Sequence, residues 1–298
     1  MQNLLVTGST GFIGRNLLES LNKKNYNVYG TSKKKITRFN KKVKYIKINL
    51  LKHSQFSSLP IKIDYIIHLA GNPKTFLTKK NEIQEQYLNN KNIMKNLLIY
   101  AKNSGCKKFI FISSVYVYSG NKSSLFHEGL NLKPKDSLGV SKYENEMQIK
   151  KFSRSKDVNT KFIIFRAFTV YGPHQNERQF LSQLKKNFLQ KKIINLYNYQ
   201  IQRDFIYIND VIYIILKTLK LNFKNKFSIY NLASGKSYSI GHAAEILKKK
   251  LKINTIVNFI NQKINKFDFN HSASINKISK KFNWSPKTFL EKGISSII

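Results

Sequence analysis

The sequence is poor in the features that mark secreted, disulfide-bonded and membrane proteins. Its single cysteine, Cys106, excludes an internal disulfide and any zinc site built from several cysteines. No apolar run reaches the roughly 18 residues that a membrane-spanning helix needs. The first residues, MQNLLVTGSTGFIG, lack a basic segment before the apolar stretch and lack a cleavage site of small residues. These absences predict a globular protein of the cytoplasm that has no membrane partner.

Acidic residues are scarce as well: 15 Asp and Glu stand against 53 Lys and Arg, so the formal net charge is +38. Such a charge raises the hypothesis of nucleic-acid binding, because basic residues release counterions from a phosphate backbone. However, only six of the basic residues are arginine, the side chain best suited to specific phosphate and base contacts. The lysines are scattered, and the chain is also rich in Asn, Ile, Phe and Tyr, which share AT-rich codons with Lys. We therefore expect no nucleic-acid partner and interpret the charge as compositional drift on an ordinary enzyme.

Short apolar segments alternate with amphipathic ones over the first 165 residues. This pattern predicts strands at 4–7, 28–31, 43–48, 64–70 and 109–113, and helices after the first strand and at 82–103. The alternation is typical of an α/β fold of the Rossmann type, in which helices cover both faces of a doubly wound parallel sheet. Later the rhythm loosens, with strands near 162–165 and 204–208 and helices near 180–189 and 241–250. We predict a dinucleotide-binding domain over 1–165 and a smaller substrate-binding region over 166–298, some of whose strands rejoin the main sheet.

A glycine-rich segment joins the first strand to the first helix. Gly8, Gly11 and Gly14 follow one another at three-residue spacing. The first glycine permits the tight turn, the second lets the backbone approach a pyrophosphate, and the third lets the helix pack on the strand. Backbone N–H groups at the helix N-terminus then bind the anion. The segment predicts a dinucleotide site that also includes Thr10, Phe12 and Ile13.

The end of the second strand is where such sites distinguish NAD from NADP. NAD sites carry an Asp or Glu there, which accepts hydrogen bonds from the adenosine ribose. This chain has Thr31-Ser-Lys-Lys-Lys35 instead. Hydroxyl and ammonium groups suit a 2′-phosphate, so Ser32 and Lys33 favour NADP over NAD. The preference is mild, because Lys is abundant throughout the sequence.

Several motifs resemble those of the extended short-chain dehydrogenases/reductases, and specifically their nucleotide-sugar epimerase/dehydratase group. They are TGSTGFIG at 7–14, IHLAG at 67–71, Asn90 with NLL at 96–98, FIFISSVYVY at 109–118, RAFTVYGP at 166–173, RDFIYINDV at 203–211, YNLASG at 230–235 and WSPKT at 284–288. The resemblance therefore runs nearly end to end. It implies a nucleotide-activated sugar as the substrate, hydride transfer at its C4, and a homodimer formed by the helices near 82–103 and 138–153.

The resemblance also implies roles for individual residues. It places Asn49 and Leu50 near the adenine, and Leu69, Ala70, Gly71 and Lys142 near the nicotinamide half of the cofactor. It places Ser114 at the reacting hydroxyl and Thr169 and Arg203 on the substrate, where Arg203 grips the diphosphate. A salt bridge from Arg203 to Asp204 or Asp210 is the structural alternative. No metal site is expected, because neither His68 nor His174 has a partner at metal-binding spacing.

The tyrosine that transfers the proton in the family is missing. The family carries Tyr four residues before the catalytic Lys, which lowers the pKa of the phenol; here the string reads Leu138-Gly-Val-Ser-Lys142, and leucine cannot exchange a proton. Three explanations remain open. Tyr116, two residues beyond Ser114 on the same face of an extended segment, supplies the phenol in preference to Tyr143. Alternatively, the protein binds its ligands but is weakly active or inactive, or a water or substrate hydroxyl replaces the phenol.

The residues after Ser114 narrow the reaction. The family's dehydratases carry Asp-Glu there, as the acid and base of water elimination, whereas this chain has Val115-Tyr116. Dehydration is therefore disfavoured. The sequence predicts an NAD(P)-dependent epimerase or 4-ketoreductase of a nucleotide sugar, with a catalytically inactive binding protein as the alternative.

Overall fold

The computed structural model describes residues 1–21, 25–33, 40–75, 77–261 and 269–298. Within these residues the chain forms twelve strands and eight helices. The strands are Gln2–Thr7 (β1), Tyr26–Ser32 (β2), Lys44–Lys47 (β3), Tyr65–His68 (β4), Lys108–Ser114 (β5), Lys161–Ala167 (β6), Thr169–Tyr171 (β7), Ile193–Tyr197 (β8), Gln202–Tyr207 (β9), Phe227–Leu232 (β10), Ser237–Ser239 (β11) and Ile256–Ile260 (β12). The helices are Phe12–Ser20 (α1), Lys80–Asn103 (α2), Ser137–Ser153 (α3), Phe180–Gln190 (α4), Ile208–Lys220 (α5), Ile240–Leu251 (α6), Asn276–Phe282 (α7) and Leu290–Gly293 (α8).

Seven of the described strands form one parallel sheet in the order β10-β6-β5-β4-β1-β2-β3. The chain winds outward from β1 through β2 to β3, then returns to β4 on the other side of β1 and winds the opposite way. The winding therefore reverses between β1 and β4, and in open α/β sheets the ligand cleft lies at the carboxyl ends of the strands at this point. The doubly wound Rossmann-type fold predicted from the sequence is confirmed.

Helices cover both faces of this sheet because its central strands are apolar on both sides. Leu4 and Val6 of β1 pack into one core with α1 and α5, whereas Leu5 packs into the other core with Leu97 of α2 and Ile149 of α3. Successive side chains of a strand point to opposite faces, so a continuous apolar run is what a sheet buried on both faces requires. The apolar runs of β1, β4, β5 and β6 place these strands at the centre.

The later part of the chain adds two small sheets, β11-β9-β7 and β12-β8. It also returns to the main sheet, because β10 pairs in parallel with β6. β6 itself spans Lys161–Ala167 and so crosses the predicted boundary between residues 165 and 166. The division into domains of 1–165 and 166–298 stays a prediction.

Candidate active site

A cleft of about 1520 Å³ opens at the carboxyl ends of β1, β2, β4 and β5 and extends to the segments carrying β7 and β9. Every residue predicted from the sequence to contact cofactor or substrate lines it: Gly8, Thr10, Gly11, Phe12, Ile13, Gly14, Ser32, Lys33, Asn49, Leu50, Leu69, Ala70, Gly71, Ser114, Tyr116, Lys142, Thr169 and Arg203. Leu138, at the position of the missing tyrosine, lines it as well. Among the described residues, five cations and one carboxylate line the cleft: Arg15, Lys33, Lys142, Arg178, Arg203 and Glu85. Such a lining suits anionic ligands.

The glycine-rich segment forms a tight cradle at one end of the cleft. Gly8 has a φ of +67°, and a Cβ there would lie 2.7 Å from the backbone nitrogen of Ala70. A Cβ on Gly14 would lie 2.4 Å from the carbonyl oxygen of Gly8. Gly11 is the N-cap of α1 and provides no side-chain cap, so N–H groups of the first helical turn remain available to an anion. The cradle fits a dinucleotide pyrophosphate.

The end of the cleft where the sequence predicts the adenosine is built by the ends of β2 and β3. Ser32 and Lys33 line it, together with Asn49, whose side-chain oxygen accepts a hydrogen bond from the Leu51 backbone N–H at 3.2 Å. Lys34 and Lys35, which contribute to the NADP prediction, lie outside the described residues. Arg15, directly after the last glycine of the cradle, also lines the cleft. Sequence reasoning did not assign it a role, although its position and the rarity of arginine were available signals.

The segment after β4 is held close to β1 by a buried threonine. The Oγ1 of Thr7 accepts hydrogen bonds at 3.3 Å from the backbone N–H groups of Leu69 and Ala70, and it lies 2.8 Å from the Nδ1 of His68. His68 is buried, and burial followed by the nearby Lys142 charge lowers its pKa to about 3. His68 is therefore a neutral packing residue, and it orders the edge of the cleft through Thr7.

Lys142 projects from α3 to the end of β5. Its Nζ donates a hydrogen bond to the carbonyl oxygen of Ile112 at 2.9 Å and lies 4.7 Å from the centroid of the Phe111 ring. Burial lowers its pKa to about 8, and Glu146 one helical turn away opposes the shift. Ser114, the last residue of β5, also lines the cleft, and its Oγ accepts a hydrogen bond from the Tyr116 N–H at 3.3 Å. The structure thus brings Ser114 and Lys142 to one strand end.

Leu138 occupies the first turn of α3, one turn before Lys142, and is only 6% exposed. This turn packs closely on the segment after β5, since a Cβ on Gly139 would lie 2.2 Å from the Tyr116 carbonyl oxygen. Asp136 fixes the start of the helix by accepting a hydrogen bond from the Gly139 N–H at 2.8 Å. The position of the missing phenol is therefore an apolar part of the cleft wall.

Tyr116 lies in a 3-10 turn, Val115–Tyr118, and not in the extended segment that the sequence suggested. The alternation Ser-Val-Tyr-Val-Tyr resembles a strand, but Ser114 caps the turn through the Tyr116 N–H, a local bond that competes with strand pairing. The Tyr116 ring packs edge-on against Phe269 and His271, with centroids 5.8 and 5.7 Å away. Tyr143 packs against the same apolar cluster around Val117 as Tyr116 does, but it does not line the cleft.

Arg166, the first residue of the RAFTVYGP motif, forms a buried ion pair. Its Nη2 lies 2.7 Å from the Oε2 of Glu146, and both side chains are at most 3% exposed. The other carboxylate oxygen of Glu146 accepts a hydrogen bond from the Ser113 Oγ at 2.6 Å, and Arg166 donates another to the Tyr118 hydroxyl at 2.8 Å. This network ties α3 to β5 and β6 directly behind Ser114 and Lys142.

Arg203 lies at the end of the cleft away from the glycine cradle, where its Nη1 donates a hydrogen bond to the Phe269 carbonyl oxygen at 2.5 Å. The carboxylates proposed as its alternative partners bind elsewhere. Asp204 accepts from Ser234 and from the Gly235 N–H, and Asp210 accepts from the backbone N–H groups of Lys287 and Thr288. Thr169 begins β7 on the same wall.

His271 is a cleft residue that sequence reasoning missed. It is 2% exposed, and neither ring nitrogen has a hydrogen-bond partner among the described residues. Burial and the charge of Arg203 lower its pKa well below the ordinary value. No local motif marks it, because its place depends on a backbone hydrogen bond to Gln202, far away in the sequence.

Across the described part of the chain, no group of three or more His, Cys, Asp or Glu residues could hold a metal ion. No described helix is both long enough and apolar enough to cross a bilayer.

Residues 4–233 match the model of the NAD dependent epimerase/dehydratase family. The chain belongs to this family. Family relatives include an uncharacterized UDP-glucose epimerase, YtcB, of Bacillus subtilis, which is 29% identical over 99% of this chain and 96% of the relative. The dTDP-4-dehydro-6-deoxyglucose reductase of Escherichia coli is 26% identical, over 99% of this chain and 96% of the reductase. The UDP-glucuronic acid 4-epimerase of Bacillus cereus, solved with UDP-glucuronic acid and NAD, is 26% identical with a TM-score of 0.88, covering 99% of this chain and 97% of that one.

Proposed function

We propose that the protein is an NAD(P)-dependent oxidoreductase of nucleotide-activated sugars that acts at C4, as an epimerase or a 4-ketoreductase. The observation that carries this proposal is the single cleft that joins the glycine cradle to Lys142, Ser114 and Arg203. It has room for a dinucleotide at one end and a second nucleotide at the other. Relatives at full length include both a 4-epimerase and a 4-keto sugar reductase.

Each part of the cleft has a defined task in this reaction. The cradle of Gly8, Gly11 and Gly14 holds the pyrophosphate, and the bound dinucleotide supplies hydride chemistry. Lys142 holds the nicotinamide ribose, and Ser114 orients the reacting sugar hydroxyl. At the far end Arg203 binds the diphosphate of the substrate, with Thr169 beside it, because a guanidinium donates paired hydrogen bonds to phosphate oxygens.

For the cofactor, we propose NADP over NAD. Ser32 and Lys33 lie at the end of β2, and Arg15 lines the same part of the cleft. These groups donate hydrogen bonds or carry positive charge, so they suit a 2′-phosphate better than two free ribose hydroxyls. NAD is the alternative cofactor, because the similar epimerase of Bacillus cereus was solved with NAD.

Tyr116 is the phenol that the sequence offers for proton transfer: it lines the cleft with Ser114, whereas Tyr143 packs against the same apolar cluster without lining the cleft. The second candidate function, binding without turnover, rests on the buried apolar Leu138 at the position of the family tyrosine. Nucleic-acid binding is the third, and it would require salt-dependent affinity for duplexes that nucleotide sugars do not displace.

A homodimer through α2 and α3 is also part of the proposal. These helices lie together on one face of the sheet and expose Leu88 and Val140, which are 43% and 39% accessible. Sedimentation of the wild type and of Leu88→Glu tests it: a monomeric wild type contradicts the dimer. The cytoplasmic location stays a prediction from the sequence.

Turnover of a panel of UDP-, GDP-, CDP- and dTDP-sugars with NADP(H) and NAD(H) tests the function. We expect conversion of at least one sugar by the wild type. Leu138→Tyr restores the family phenol one turn before Lys142, and a large gain would indicate that the natural chain has lost efficiency. If neither protein converts any sugar while both bind dinucleotide, the oxidoreductase proposal is wrong and the binding function stands.

A further inference from the structure

We propose that Lys142 itself transfers the proton to and from the sugar hydroxyl, in place of the phenol missing at position 138. The inference rests on the oxidoreductase function proposed above and names its proton carrier. In the family this lysine assists a tyrosine, and here three features of its surroundings suit it to act directly.

The first feature is the face of α3 that the lysine shares with the lost tyrosine. Leu138 and Lys142 are four residues apart, so they lie one above the other on the helix surface, and both line the cleft. A tyrosine at 138 would place its hydroxyl on this wall. Leucine adds no polar atom, so Lys142 is the titratable group that this face of the helix presents to the cleft.

The second feature is the anchoring of Nζ beside the strand end. Its hydrogen bond to the Ile112 carbonyl oxygen holds it two residues before Ser114 on β5. A lysine ammonium has three N–H donors, and this bond occupies one. The other hydrogen-bonding positions of Nζ can bind a ribose hydroxyl of the cofactor and the sugar hydroxyl near Ser114.

The third feature is electrostatic. Lys142 packs against the Phe111 ring, and burial brings its pKa to about 8, near the working range of a general acid or base. Among the described residues, Glu146 on α3 acts on the charge of Lys142, and Lys142 in turn acts on His68 of β4. His68 is neutral, and the Glu146 charge is bound by Arg166 at 2.7 Å and by Ser113 at 2.6 Å. Glu146 therefore opposes deprotonation of Lys142 only in part.

The proton balance is simple. In the oxidation direction the sugar O–H bond breaks and its proton goes to the neutral amine of Lys142. The O–H electron pair forms the C=O bond as the C4 hydride leaves for the dinucleotide cofactor. In the reduction direction the ammonium returns the proton to the carbonyl oxygen. The amine form thus serves oxidation and the ammonium form serves reduction.

The pH dependence of turnover tests this assignment. For oxidation we expect kcat to rise with pH and level off above about 8; for reduction we expect kcat to be level below about 8 and to fall above it. Lys142→Arg keeps the positive charge but cannot release a proton. This substitution should lower kcat by about 10²- to 10⁴-fold and change the cofactor KM by less than about tenfold. The change in kcat near pH 8 should disappear from its pH profile. Small primary amines should partly restore turnover to Lys142→Ala.

The matched control is Lys150→Arg on the exposed side of the same helix, which should keep the wild-type profile. Labelling of lysine amines by a limiting acylating reagent gives a readout without cofactor. Lys142 should label with a midpoint near pH 8. A Lys142 midpoint near 10 overturns the proposal.

The outcomes separate this inference from the function beneath it. If the wild type converts a sugar and the change in kcat near pH 8 persists in Lys142→Arg, Lys142 is not the proton carrier, while the oxidoreductase function stands. If that change is then lost in Tyr116→Phe, the proton carrier is Tyr116. If the wild type converts no sugar of the panel, the oxidoreductase function fails and this inference fails with it.

Discussion

Two glycines with the same unusual backbone give a direct test of the phosphate cradle. Gly8 has a φ of +67° and Gly105 has a φ of +70°. Alanine at either position is strained in the left-handed region by about 1–2 kcal/mol. A Cβ on Gly105 would meet no atom within 4 Å, whereas a Cβ on Gly8 would lie 2.7 and 2.9 Å from the backbone nitrogen and Cα of Ala70. The two substitutions therefore differ in the collision with Ala70.

We expect Gly105→Ala to lower the free energy of unfolding by about 1–2 kcal/mol and to leave dinucleotide affinity unchanged. Gly8→Ala should cost about 1–3 kcal/mol more, the usual range for overpacking, because Ala70 must move. Since Ala70 and its neighbours Leu69 and Gly71 line the cleft, that movement should also weaken dinucleotide binding by at least about tenfold, or 1.4 kcal/mol.

Urea unfolding and titration with NADPH and NADH measure the two effects on the same preparations. The reasoning would be refuted by equal losses of stability in both variants, or by an unchanged dinucleotide affinity in a folded Gly8→Ala protein.

Four further results are expected. Arg166→Met should lower the free energy of unfolding by about 3–5 kcal/mol, because it leaves the Glu146 carboxylate buried and unpaired; the exposed Arg154→Met is the control, and a loss below about 1 kcal/mol would contradict the buried pair. Lys142→Met should raise the free energy of unfolding at pH 7 by up to about 3 kcal/mol, because the folded chain lowers the lysine pKa to about 8 and so disfavours the charged form. This gain over the wild type should disappear between pH 8 and 10.5, and a stability loss at pH 7 would contradict it. Ser32→Asp should shift the ratio of dissociation constants toward NAD by repelling a 2′-phosphate, and an unchanged ratio would remove Ser32 from the cofactor site. Burial raises the pKa of the Cys106 thiol, so a thiol reagent should label it only as fast as the chain unfolds, as urea-dependent labelling rates will reveal.

The main sheet was predictable because the forces that make it are local in the sequence. Strand β1 and helix α4 were expected at 4–7 and 180–189 and are found at Gln2–Thr7 and Phe180–Gln190. An apolar run ended by a glycine turn, or apolar residues at helical spacing, requires only a core to pack on. The short strands β8 and β12 were not predicted, since each is stabilised by pairing with the other more than 60 residues away.

The cleft was predictable to the extent that motifs carry it, and the exceptions have physical causes. Tyr116 was expected in an extended segment because its pattern alternates, but the cap formed by Ser114 bends the chain there. His271 carries no local signal, because only the packing of the Phe269 segment on Tyr116 and β9 brings it to the cleft. Arg166 belongs to the RAFTVYGP motif, but the motif does not reveal its partner, the buried Glu146 of the same chain.

The distribution of basic residues between surface and cleft separates drift from function. A chain with 53 basic residues, most of them lysine, would line any cleft mainly with lysine if chance alone placed them. Among the described residues the reverse holds: three of the five arginines, Arg15, Arg178 and Arg203, line the cleft, against only Lys33 and Lys142 from the far larger set of lysines. Planar, permanently charged groups are thus concentrated where phosphates would bind. Lys142 differs from the other lysines in that it packs against Phe111 with its pKa lowered to about 8, which is what the proposed proton carrier needs.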